Sequence, residues 1–228
     1  MCIRDSAYIA FHIGSKDSGS HLGGLREVPG IVEKGRMHVC HVNSYCRGVV
    51  KDPVDECQEA ISIMKTLKGQ INTEVYHAVA NGTNGACDKP GNVIANVPRN
   101  CLAARGYEPT IDGMREAIKD GYASVIAVKS GAISYVDGKE ALEIYNKSKT
   151  MVGMSFPVNL PASAYHLTTA KDESGDFVVD AVSTDGGSHP RNVAIQSTMA
   201  LVKFGALSPS DMANKLSWTP SRLSLIHI

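Results

Sequence analysis

The sequence predicts an α/β fold in which helices join parallel strands. Extended apolar runs alternate with helical patterns across residues 7–77, in the order strand, helix, strand, helix, strand, as in parallel βα units. Each of these strands has a histidine near its carboxyl end, and a later strand ends on an aspartate. Because parallel strands bring their carboxyl ends to one edge of a sheet, we expect a functional site at that edge.

The first βα unit begins with an extended run over residues 7–14, A-Y-I-A-F-H-I-G, which holds His12 near its end. Residues 22–34 then carry apolar side chains at helical spacing. Pro29 should kink this helix or reset its start, because proline removes a backbone donor.

The second strand is predicted over residues 36–44, R-M-H-V-C-H-V-N-S. Alternate side chains of a strand share a face, so His41 and Asn43 are expected to lie together near its carboxyl end. The clearest helix of the chain follows over residues 52–67, with Asp52 as its N-cap and a proline at its first position.

The third strand covers residues 71–77 and again closes on a histidine and a small polar loop. Two strand-end histidines that are one βα unit apart can converge on one point, where neutral imidazole is a favoured zinc ligand. His41 and His77 are therefore candidate metal ligands. The alternative is that each is a hydrogen-bonded core histidine.

The middle of the chain begins with residues 86–109, where prolines and glycines without periodicity predict a long loop or small insertion. Further elements are predicted as a helix over 110–120, a strand over 123–129, a helix over 137–147 and a strand over 151–156. Spacing alone leaves open whether the strand at 123–129 belongs to the main sheet or to an insertion.

A strand over residues 177–185 ends on a carboxylate and breaks into a glycine turn. Near a zinc-bound water, Asp185 could accept the proton of the water and return it to a leaving amine. The alternative is that Asp185 only caps the turn. Two more helices are predicted after this turn, over 193–204 and 208–217.

The composition excludes several classes of protein. The 228 residues are 43% apolar and 20% charged, which is ordinary for a globular domain. Lys plus Arg and Asp plus Glu both total 23, so the net charge implies neither a nucleic-acid nor a membrane partner. The six cysteines show no paired metal spacing, and no run of 18 apolar residues is present. We expect a reduced, cytoplasmic setting.

Both ends of the sequence resemble translated sequencing adaptor, over residues 1–6 (M-C-I-R-D-S) and 224–228 (S-L-I-H-I). We exclude these residues from the fold prediction. We expect the natural chain to extend beyond both ends, and the isolated fragment to be insoluble and inactive.

Four segments, taken in order, resemble the C-terminal half of the amidohydrolase superfamily, and the N-acyl-D-amino-acid deacylases (D-aminoacylases) in particular. They are H-V-C-H-V-N-S, E-V-Y-H, S-T-D-G-G-S-H-P-R and L-S-P-S-D-M-A-N-K-L-S-W-T-P-S-R-L. The resemblance implies that residues 7–223 form the C-terminal part of an incomplete (β/α)8, TIM-like barrel of a metal-dependent hydrolase.

The same resemblance implies roles for individual residues. His41 and His77 would bind one or two Zn²⁺ ions, and Asp185 would be the catalytic acid and base. The family's strand-1 ligands are absent from this chain. The D-aminoacylases usually have Tyr-Pro where this chain has Tyr76-His77, so the role of His77 follows from the wider superfamily.

The substrate side of the site would include Arg191, His189, Asn43 and His12. Arg191 matches the arginine of the family's H-P-R and could hold a substrate carboxylate through a bidentate pair. His12 resembles the histidine of a T-H-x-R segment, although Gly14 replaces its arginine.

The expected function is hydrolysis of a carbon–nitrogen bond in a linear amide, with a small N-acyl-D-amino acid as the substrate. One alternative is a cyclic amidase of the dihydroorotase or hydantoinase kind, which needs no carboxylate clamp. Another is a non-catalytic relative whose barrel serves as a binding module.

Overall fold

The computed structural model of the protein describes residues 9–13, 21–32, 37–187 and 189–224. The elements are β1 (Ile9–Phe11), α1 (Leu22–Ile31), β2 (Met37–Val39), α2 (Pro53–Thr66), β3 (Ile71–Tyr76), β4 (Thr83–Asn84), α3 (Asn96–Ala103), α4 (Ile111–Lys119), β5 (Ser124–Lys129), β6 (Ala132–Val136), α5 (Gly138–Lys147), β7 (Gly153–Ser155), α6 (Pro161–Thr169), β8 (Ala181–Ser183), α7 (Ala194–Lys203), α8 (Pro209–Ala213) and α9 (Thr219–Ser224). A 3-10 turn, Val42–Tyr45, follows β2, and a π-helical turn, Asn214–Trp218, joins α8 to α9.

Four parallel strands form the main sheet, in the order β1-β2-β3-β8. Met37 of β2 pairs with Ile71 of β3, and Tyr76 at the end of β3 pairs with Ser183 of β8. The predicted α/β class with parallel strands is confirmed. The described strands form an open sheet, so closure into a barrel stays a prediction.

One face of the main sheet packs on helices α1, α2, α6 and α7. The sheet contributes Met37, Val39, Ile71 and Val75 to this core, and the helices contribute buried residues such as Leu25. Burial of a leucine or valine side chain is worth about 1.5–3 kcal/mol, so this core is the main support of the sheet.

The opposite face of the sheet carries polar and sulfur-containing side chains. Because strand side chains alternate, His38 and Cys40 point away from the helices, and Glu74 of β3 does the same. The register places His38 opposite Asn72, and therefore Cys40 beside Glu74. Polar and sulfur-bearing groups thus share the face opposite to helices α1, α2, α6 and α7.

An inserted module separates β3 from β8. Its sheet is antiparallel, in the order β4-β7-β5-β6, and helices α3, α4 and α5 accompany it. A second core, which includes Met114, Ile118, Tyr145 and Phe156, fills the module. The strand predicted at 123–129 therefore belongs to this insertion.

Two elements of the inserted module have no counterpart in the prediction. Residues 86–109, predicted as a long loop or small insertion, contain the helix α3. Pro98 lies in the first turn of that helix, where a missing backbone donor costs no hydrogen bond. β6 has no counterpart in the prediction, although Ser130 and Gly131 have the positive φ angles, 50° and 81°, of a tight hairpin turn.

Local capping explains the helices that are confirmed. Asp52 accepts a hydrogen bond from the backbone of Val54 at 2.9 Å and begins α2. Thr110 does the same for α4 through Gly113, at 3.2 Å. In the described part of the chain, no helix combines the length and apolarity that crossing a membrane would require.

A buried lysine attaches the C-terminal helices to the main sheet. Lys215, in the π-helical turn, is 2% exposed, and its Nζ donates to the carbonyl of Val179 at 2.6 Å. The same nitrogen lies 4.0 Å from the ring centroid of Phe177. Burial lowers the pKa of Lys215 from 10.5 to about 8, because the charged form loses hydration.

This pKa shift predicts a pH dependence of stability. Between pH 8 and 10.5 the unfolded chain holds the proton on Lys215 and the folded chain does not. The free energy of unfolding should therefore gain roughly 3 kcal/mol from this residue as the pH rises through that window. Urea unfolding at several pH values should show a rise that is smaller in Lys215→Met. The exposed Lys203→Met is the control, and equal pH profiles for all three proteins would contradict the assignment.

Candidate functional site

His41 ends the second strand in an unusual backbone conformation. β2 stops at Val39, and His41 has φ 37° and ψ 56°, in the left-handed region that non-glycine residues seldom adopt. The 3-10 turn then begins at once. His41 and Asn43 therefore do not share a strand face, and the prediction that the strand continues to residue 44 is wrong.

The structure brings His12 and His41 together at the carboxyl edge of the sheet. His41 Nε2 is in direct contact with His12 Nδ1 and lies 3.3 Å from His12 Nε2. The two ring centroids are 4.1 Å apart. His41 is buried and His12 is exposed, so the pair connects the interior of the site with solvent.

The environment keeps the His41 ring neutral. Burial lowers its pKa from 6.5 to about 3, and the positive charge that His12 can carry lowers it further. The guanidinium groups of Arg47 and Arg191 act in the same direction. A neutral imidazole has a lone pair on one ring nitrogen, which is the form that binds a metal ion.

Tyr45 ties together the two loops that carry these histidines. Its hydroxyl accepts a hydrogen bond from the backbone of Ile13 at 3.0 Å and donates to the carbonyl of Cys40 at 2.9 Å. Each of these residues is the chain neighbour of one histidine. The tyrosine therefore fixes the separation of the loops that bring His12 against His41.

The side chain of Asn43 binds the backbone at the end of β3. Its Nδ2 donates to the carbonyl of Tyr76 at 2.9 Å, and its Oδ1 accepts from the backbone of Tyr76 at 3.0 Å. The ring of Tyr76 lies edge-on to His41, with centroids 5.9 Å apart. Both amide atoms of Asn43 thus bind backbone, and its role in substrate binding stays a prediction.

Asp185 and Arg191 form an ion pair beside this aromatic ring. Arg191 Nη1 lies 2.8 Å from Asp185 Oδ2, and Arg191 Nη2 donates to the carbonyl of Asp185. Arg191 Cζ is 5.4 Å from the ring centroid of Tyr76. The carboxylate side chain is 33% exposed and the guanidinium side chain 7%, so Asp185 is the partner that solvent and substrate can reach.

Asp185 also has a left-handed backbone, with φ 45°. Strained conformations of this kind cluster at functional sites.

His189 is a further side chain near the Asp185–Arg191 ion pair. Its ring packs against Gly82, where any side-chain carbon would collide with it. Burial and the charge of Arg191 lower the pKa of His189, while Asp185 opposes the shift. His189 therefore lies close to the ion pair, as its place in the H-P-R segment predicts.

The ring of His77 contacts hydroxyl groups on two helices. Its Nδ1 lies 2.7 Å from the hydroxyl of Ser197, on α7, and its Nε2 lies 2.8 Å from the hydroxyl of Thr168, on α6. Burial lowers its pKa to about 4. Helix residues thus engage both ring nitrogens, which matches the core-histidine alternative. We do not include His77 among the metal-binding residues proposed below.

One cluster of ligand-type side chains is not among the predicted site residues. The ligand atoms of His38, Cys40 and Glu74 all lie within 4.8 Å of one another, on the face of the sheet opposite to α1 and α2. The signal in the sequence is H-V-C, which places two ligand-type side chains on one face of a strand.

Comparison with solved structures first supports a fold class, a mixed α/β fold with a parallel sheet. The particular structure is a D-aminoacylase mutant in complex with CuCl2, with 12% sequence identity and a TM-score of 0.55. The match covers 96% of this chain and 42% of that chain. No protein-family model and no curated protein sequence matches. The likeness is one of fold.

The contacts of His77 predict how its loss would act. In His77→Ala, the buried hydroxyl of Thr168 and the partly buried hydroxyl of Ser197 lose their ring partner and a cavity forms, so stability should fall by about 1–3 kcal/mol. Bound zinc should stay at the parental level, whereas His41→Ala should lower it. Urea unfolding and elemental analysis of zinc-loaded protein measure the two effects. Loss of zinc from His77→Ala without loss of stability would restore His77 as a ligand.

Proposed function

We propose that this chain supplies part of the active site of a metal-dependent amidohydrolase that cleaves a linear amide. The observation that carries the proposal is the meeting of His12 and His41 at the carboxyl edge of a parallel sheet whose strand β8 leads into Asp185. Catalytic residues of α/β barrels come from this edge. The likeness to a D-aminoacylase structure supports the same class of enzyme.

The donor set fits a zinc ion in part. His12 and His41 offer two imidazole nitrogens that face each other, and the buried ring is neutral. Catalytic zinc sites use three protein ligands with nitrogen, oxygen or sulfur donors, so this pair would be part of the set. When bound, zinc lowers the pKa of water and polarises a carbonyl oxygen.

Asp185 would move the proton. Its carboxylate is one-third exposed, and the ion pair with Arg191 fixes its orientation through one oxygen. Such a carboxylate can take a proton from the attacking water and deliver it to the leaving nitrogen of the amide. Arg191 would act as a positioning residue for Asp185, because the Arg191 side chain is buried and forms the ion pair with the carboxylate.

The charges around the site favour an anionic substrate. Arg47 and Arg191 are both close enough to His41 to lower its pKa. Asp185 balances the charge of Arg191, so Arg47, which forms no ion pair among the described residues, supplies the positive field at the site. An N-acyl amino acid carries a carboxylate that this field would attract, and an N-acyl-D-amino acid is the proposed substrate. A cyclic amide of the hydantoin kind has no such group.

Exchange of the carboxylate tests the mechanism. Asp185→Asn should retain fold and zinc but lower the turnover of N-acetyl-D-amino acids by about two to four orders of magnitude, the contribution of a general acid and base. Asp112→Asn, at an exposed carboxylate of the inserted module, should behave as the parent. Parallel assays with L-enantiomers and with a hydantoin identify the substrate class. Turnover of Asp185→Asn within threefold of the parent would remove Asp185 from the mechanism.

A further inference from the structure

We propose that His38, Cys40 and Glu74 form a second metal site, separate from the His12–His41 pair, that binds a zinc-like divalent transition-metal ion. The three ligand atoms lie within 4.8 Å of one another. Bonds from zinc to nitrogen, oxygen or sulfur are about 2.0–2.3 Å and the geometry is tetrahedral, so two ligand atoms on one ion are about 3.3–3.8 Å apart. Side-chain rotations that shorten the longest separation by about 1 Å would bring all three onto one ion.

The sheet itself creates this arrangement. His38 and Cys40 are two residues apart in and just after β2, so their side chains leave the same face. His38 is opposite Asn72 and Val39 is opposite Thr73 in the neighbouring strand, and the next residues along the two strands are Cys40 and Glu74. His38 and Glu74 lie in paired strands, and the backbone of Cys40 donates to the carbonyl of Phe11 at 3.1 Å, so backbone hydrogen bonds hold all three ligand positions.

Burial and charge favour a cation at this place. His38 is 6% exposed, and the Glu74 side chain is 19% exposed. Within the described ranges, no lysine or arginine lies in ion-pair distance of Glu74, whose ion-pair partner is His38 at 3.6 Å. A shielded carboxylate is stable when a positive charge compensates it, and a divalent ion between Glu74 and Cys40 would supply that charge.

The donor atoms select the kind of ion. A thiolate, an imidazole and a carboxylate suit zinc and its neighbours, whereas magnesium and calcium require oxygen ligands. The three side chains leave a fourth position for water. The sulfur atom also distinguishes this site from the His12–His41 pair, which has only nitrogen donors.

Cobalt makes the proposed sulfur ligand visible. Protein stripped of metal with a chelator is titrated with Co²⁺, and absorption from thiolate-to-cobalt charge transfer is recorded in the near ultraviolet. The parent should develop this band. Cys40→Ser should lose it, while Cys87→Ser, at a half-buried thiol of the inserted module, should keep it.

Two further variants separate the sites. His38→Gln and Glu74→Gln should weaken cobalt binding at the charge-transfer site by more than about tenfold, the loss that even outer-shell partners can cause. His41→Ala should leave the band unchanged. Absence of the band from the parent, its survival in Cys40→Ser or its loss in His41→Ala would overturn the proposal.

An experiment on the parent protein does not depend on the folding of any variant. Zinc should slow the alkylation of Cys40 by iodoacetamide, followed by peptide mass spectrometry, and leave that of Cys87 unchanged. Equal alkylation rates of Cys40 with and without zinc would show that the three side chains form only a protein-internal ion pair.

Discussion

The candidate site depends on the two hydrogen bonds that the side chain of Asn43 makes with the backbone of Tyr76. β3 pairs with β8 as far as Tyr76, but β2 ends at Val39, so strand pairing with β2 cannot hold the end of β3 on its other edge. The buried side-chain amide of Asn43 binds the backbone N–H and carbonyl of Tyr76 in place of a neighbouring strand. Tyr76, fixed in this way, contacts both His41 and the guanidinium of Arg191. One short polar side chain thus connects the position of His41 with that of the ion pair.

The inserted module contributes to the same region through Asn159. The Nδ2 of Asn159 donates to the hydroxyl of Tyr76 at 2.6 Å, and its Oδ1 accepts from Arg47 at 2.6 Å. The chain that returns from the module therefore holds the outer end of the tyrosine, while the main sheet holds its backbone. Arg47, oriented by this contact, adds to the positive field at His41.

Local signals made much of the fold predictable, and long-range contacts account for the rest. Caps such as Asp52 are short-range chemistry, so the helix that follows is confirmed. The hairpin turn at Ser130 is also local and could have been predicted. By contrast, no sequence pattern shows that strand pairing stops before His41. The partners of His77 lie 91 and 120 residues away in the chain, so the strand pattern that ends at His77 could not by itself distinguish a metal ligand from a core histidine.

The insertion between β3 and β8 has a consequence for folding. Thr73 and Asp180, which hydrogen-bond at the start of this strand pair, are 107 residues apart in the chain. The entropy cost of closing a flexible loop grows with the logarithm of its length. A module with its own antiparallel sheet and its own core folds through nearer contacts and brings its two ends together. Once folded, it acts as a short rigid linker, and the central parallel pairing forms across a much smaller effective gap.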